Sequence, residues 1–98
     1  MNQKISEIQI TPIKPNNGLV AFASLVINDI WYLGSIGIFT RPEGGYRLTY
    51  PTKAVANTKI NIFYPINKIA SNEVEIAVIN KYEEVMKNYV RYSSFSHA

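Results

Sequence analysis

In its first segment, at Ile8 and Ile10, the apolar positions of this chain fall two apart, and from Val74 onward they recur at spacings of three and four. The first is the spacing of strands and the second that of an amphipathic helix. In KISEIQITPIK, Ile8 and Ile10 share one side of a first strand, which ends near Pro12 and Pro15 because proline cannot donate to a ladder. PNNG turns the chain. Leu19 to Ile27 and Ile30 to Phe39 read as the second and third strands, joined by the two residues Asn28-Asp29. RPEGG, Arg41 to Gly45, is the next turn, YRLTY a short fourth strand, and KINIFY a fifth with Ile60 and Ile62 on one face and Phe63 on the other. Val74, Ala77, Val78, Tyr82, Val85 and Tyr89 then mark one face of a helix, with Ser71 or Asn72 suited to its cap and Glu83 and Lys87 an i,i+4 pair on its polar side. The expected fold is α+β: an antiparallel sheet of about five strands followed by a C-terminal helix, one domain over residues 1–90 with a fraying tail at 91–98.

The second strand is apolar on both sides. Leu19, Ala21, Ala23, Leu25 and Ile27 face one way, Val20, Phe22 and Val26 the other. One helix covers only one face of a sheet, and a chain of 98 residues buries only about 60–65% of its unfolded surface. A sheet-mediated homodimer is therefore expected, with Val20, Phe22, Val26, Trp31, Leu33 and Phe39 at its interface. Gly18 to Phe39 has Asp29 as its sole charge, yet Asn28-Asp29 at its centre and its β-branched and aromatic residues favour a hairpin over a spanning helix. No membrane insertion is expected. The first ten residues lack the apolar core of a signal peptide and cysteine is absent, which together fit a cytoplasmic location.

Chemistry is constrained chiefly by what is missing. His97, the one histidine, stands next to the C-terminus, and without cysteine no zinc site can be assembled. Most of the acids, Glu73, Glu75, Glu83 and Glu84, belong to the solvated side of the helix, and the glycine turn lacks the lysine and helix start of a phosphate loop. No enzymatic activity, cofactor, metal or small-molecule substrate is expected. Charge is more telling: residues 41 to 68 carry +4 of the chain's net +3, the rest summing to −1. Arg47, Lys53, Lys59 and Lys68 are the candidate phosphate contacts, with Tyr46, Tyr50 and Tyr64 beside them as stacking surfaces for unpaired bases. The acidic helix is poorly suited to a major groove, so the basic loop should meet the backbone, with Arg91 and the tail as a further contact.

GLVAFASLVIND, the glycine turn into YRLTYPTK, YPIN and the helix EIAVINKYEEV stand in an order that resembles the SpoVG family of bacterial septation regulators, over roughly residues 4 to 86. Pro51-Thr52-Lys53 is similar to that family's Pro-Ser-Lys or Pro-Ser-Arg element, and Tyr64-Pro65-Ile66 to its His-Pro-Ile. The resemblance implies a small cytoplasmic homodimer that binds DNA, in some members RNA, and influences septum formation or sporulation. It carries the nucleic-acid role onto Lys53 but not onto Ala54, where many members have arginine, and Tyr64 stands in place of the usual histidine. The rival reading is a protein-interaction module of the division machinery whose basic loop meets an acidic partner.

Overall fold

The computed structural model describes residues 3–96, with side chains through Asn88. Four antiparallel strands, β1 (Ile5–Asn16), β2 (Leu19–Ile27), β3 (Trp31–Thr40) and β4 (Tyr46–Thr49), form one sheet in chain order. Two more, β5 (Thr52–Val55) and β6 (Thr58–Asn61), pair only with each other, and the helix α1 (Lys68–Ser96) follows. The architecture is the expected α+β. The strand expected fifth lies instead in a separate two-stranded sheet, paired with β5, whose four exposed residues carry no apolar period.

Turn chemistry sets the meander. Asn28 and Asp29 both take left-handed backbone, at φ 54° and 57°, and the Ile30 amide donates to the Ile27 carbonyl at 3.0 Å. Positive φ at both central residues matches the right-handed twist of the flanking strands, and asparagine and aspartate tolerate it better than most residues do. Lys4 ties β1 to this turn, its amide donating to Asn28 Oδ1 and its Nζ to Asp29 Oδ2, both at 2.8 Å. The ion pair is exposed and adds little.

The core lies between one face of the sheet and α1. Ala21, Ala23 and Leu25 of β2 and Ile36 and Ile38 of β3 alternate inward against Val74, Val78 and Tyr82, all buried. Tyr46 closes one side by meeting the Tyr82 ring edge-on at 5.1 Å, and Tyr50 does the same to Phe63 at 6.1 Å.

Alternation in β2 is broken at its start. Leu19 pairs with Phe39 and Ala21 with Ile38, two residues against one, so the chain bulges at Val20. Val20 consequently packs towards the helix beside Val85 and Met86, and Leu19 shares a face with Phe39. A second bulge, in β3 between the partners of Ala23 and Leu25, is accompanied by positive φ at Ser35 and leaves Leu33 on the helix side, where it borders a cleft with Tyr50, Phe63 and Val74.

The helix starts earlier than its apolar period suggests. Asn67, not Ser71 or Asn72, caps it: Oδ1 accepts from the amides of Ile69 at 2.8 Å and Ala70 at 3.1 Å. Ile69 and Ile76 stay exposed in the first turns and blur the amphipathic pattern there. The helical ion pair found among the described residues is Lys81 with Glu84 at 3.5 Å, in place of Glu83 with Lys87. Asn67→Ala should cost about 1 kcal/mol in urea unfolding, the usual worth of an N-cap side chain. Loss of less than a few tenths would show that the first turn is held by packing alone.

Candidate nucleic-acid interface

After β4 the chain leaves the sheet at Tyr50-Pro51. The Ile62 amide donates to the Pro51 carbonyl at 3.0 Å, closing the base of the hairpin β5–β6. Thr52 pairs with Asn61, Lys53 with Ile60, Ala54 with Lys59 and Val55 with Thr58, leaving Ala56-Asn57 as a two-residue tip. Ala56 sits at φ 55°, a conformation that costs a residue with a Cβ about 1–2 kcal/mol. All eight strand residues of this ribbon are exposed.

The register fixes where the cations point. Residues directly opposite share a face and neighbours alternate, so Lys53 lies with Val55, Thr58 and Ile60 on one face of the ribbon. Lys59 lies with Thr52, Ala54 and Asn61 on the other. The other two expected phosphate contacts are elsewhere: the Arg47 guanidinium stacks on the Phe39 ring, 4.6 Å from its centre, and exposed Lys68 opens α1 beside its cap. Of the three tyrosines expected to stack on bases, Tyr46 and Tyr50 are engaged by Tyr82 and Phe63, while Tyr64 is more than half exposed. His97 and the end of the tail lie outside the described residues, as do the side chains of Tyr89 and Arg91.

Tyr50 belongs to the fold. Burial, with the Glu75 carboxylate adding to it, pushes its phenol up to about 12. The folded chain therefore holds this proton more tightly than the unfolded chain, whose phenol titrates near 10. The stability it contributes is fully present below about pH 10 and is lost as pH rises towards 12, about 1–2 kcal/mol after partial exposure is allowed for. In urea unfolding across that window, Tyr50→Phe should remove this part of the alkaline decline. A decline of unchanged depth would assign it to other groups.

The sheet's other face carries no helix. Register and the open-face neighbours of Gly37 place Leu19, Phe22, Val26, Tyr32, Phe39, Arg47 and Thr49 there. Phe22, Val26 and Phe39 of the expected interface thus share one surface. Val20 and Leu33 are on the helix side, and Trp31 pairs with Ile27 at the exposed end of the sheet. Leu19 and Tyr32 were not anticipated: a bulge hides the first, and the second is placed only by its pairing with Val26.

Among the described residues no three His, Cys, Asp or Glu side chains are grouped as a metal would need, and no helix is long and apolar enough to cross a membrane. The cleft beside Tyr50 is lined by apolar side chains with Gln3, Tyr50 and Tyr64 as its polar members. It offers two phenols and neither carboxylate nor imidazole.

A sequence model of the SpoVG family matches residues 3–84, which takes in both sheets and α1 as far as Glu84, including the buried Val74, Val78 and Tyr82. The chain belongs to the SpoVG family. A Finegoldia magna relative is 33% identical over 82 residues, covering 83% of this chain and 75% of its own. One from Treponema denticola is 26% identical, covering 83% and 87% respectively. Both are named as septation proteins of the SpoVG type. Within the SpoVG region, Pro51 precedes the ribbon in the chain and the Tyr64-Pro65-Ile66 stretch follows it, so the elements on which the resemblance rests bracket the exposed lysines.

Proposed function

We propose that this SpoVG-family chain is a nucleic-acid-binding regulatory protein of septation or sporulation that acts as a homodimer. The observation that carries the reading is the β5–β6 ribbon, exposed along its whole length with a lysine on each face. Phosphates are met by cations that stay in solvent until the partner arrives and then release its counterions. No acidic residue occurs between Glu43 and Glu73, so nothing in this segment opposes a polyanion. The septation role follows from family membership and the names of the relatives.

The homodimer is supported by the uncovered sheet face, where Leu19, Phe22, Val26, Tyr32 and Phe39 supply an apolar surface and a second copy of the same face could complete it. Two copies bring two ribbons to one polyanion, raising affinity without new contacts.

Fluorescence anisotropy of labelled DNA and RNA oligonucleotides at two salt concentrations tests the binding, with molar mass in solution testing the dimer. Binding should weaken steeply with salt, and Lys53→Ala/Lys59→Ala should weaken it and lower the salt slope by about two for each chain bound. Unchanged affinity in the double variant would remove nucleic acid from the ribbon's role and leave an acidic protein as its partner.

A further inference from the structure

A cationic ribbon can meet a polyanion in two ways. Laid flat, it presents one face and leaves the other in water. Inserted between two walls of phosphate, it uses both. In β5–β6 the lysines are divided between the faces, Lys53 opposite Ile60 on one and Lys59 opposite Ala54 on the other. A flat contact would therefore waste one of them. Resting on the nucleic-acid reading above, we propose that the ribbon enters the major groove of duplex DNA tip first, with Lys53 facing the phosphates of one strand and Lys59 those of the other.

The dimensions fit. Across its two faces a β-ribbon with side chains is about 10 Å thick, the distance at which sheets stack, and the B-form major groove, about 12 Å wide and 8.5 Å deep, admits a two-stranded β-ribbon. Four residues per strand reach about 13 Å, enough to bring the tip to the groove floor while the base stays outside. The ribbon is also free to enter, because β5 and β6 form a sheet of their own, with all eight residues exposed. The tip offers the small Ala56 and the amide of Asn57, a side chain of the type that reads adenine edges. Single strands have no second wall, and the major groove of duplex RNA is too deep and narrow for side chains to read.

The test is anisotropy with a labelled DNA duplex of about twenty base pairs, one of its strands alone, and an RNA duplex of the same sequence, using the full chain and the single variants Lys53→Ala and Lys59→Ala. Both lysines are exposed, and a circular dichroism spectrum verifies that each variant is folded. The expected result is at least tenfold tighter binding to duplex DNA than to either alternative, with each variant lowering the salt slope by about one per bound chain. A minor-groove ligand such as netropsin should leave that binding in place. Equal affinity for the single strand, displacement by netropsin, or loss from only one of the two variants would overturn the groove assignment while nucleic-acid binding itself stood. Failure to bind any of the three nucleic acids would overturn both readings together.

Discussion

Ile38→Ala is expected to lower the unfolding free energy by about 2–5 kcal/mol, against a total of about 5–15 kcal/mol for a domain of this kind. Ile38 is fully buried in β3, paired with Ala21 on one side and Leu48 on the other, within the layer that Val78 and Tyr82 complete. The neighbouring Ala21 and Ala23 are already too small to move into the space left behind. Most of the cavity would persist, and its cost adds to that of the lost burial. Urea unfolding monitored by circular dichroism gives the value. A loss under 1 kcal/mol would mean that the helix settles onto the sheet far more readily than rigid packing allows.

Gly37→Ala comes next. Gly37 is buried in the middle of β3, and a Cβ there would stand 2.6 Å from Thr49 Oγ1 and 3.2 and 3.3 Å from the side chains of Phe39 and Leu19. Threonine is stiff at χ1 and cannot simply swing aside, so the substitution should cost about 1–3 kcal/mol even though alanine is the better strand residue. Thr49→Ala removes the obstructing oxygen. The double variant Gly37→Ala/Thr49→Ala should recover most of the loss, and a strictly additive result in a double-mutant cycle would show that the clash lies elsewhere.

The strands and turns that a buried face imposes were legible in the sequence. Ala21, Ala23 and Leu25 alternate because one side of β2 must meet the helix, and Asn28-Asp29 supplies the left-handed pair that the hairpin needs. What escaped notice was whatever leaves no apolar period. Thr52 to Val55 is exposed on both faces, so its strand is written only in pairing with Thr58 to Asn61. Bulges add a residue without a compositional mark, which is why plain alternation places Val20 and Leu33 on the face opposite the one they occupy. The helix start was obscured because Ile69 and Ile76 face solvent. The candidate site was half legible: the excess of charge between Arg41 and Lys68 is plain from composition, whereas the division of Lys53 and Lys59 between opposite faces depends on register.

The two borders of the four-stranded sheet also have a bearing on how copies of this chain behave when crowded. β1 contains Pro12 and Pro15, lacks their amide donors, and departs from regular pairing twice, with Glu7 at φ 49° beside one irregularity. β4, at the opposite border, is four residues long and ends just before Pro51. Neither offers the long, regular row of unpaired amides and carbonyls along which strands from another molecule add. Growth of fibrils by addition of strands along these two borders is accordingly disfavoured.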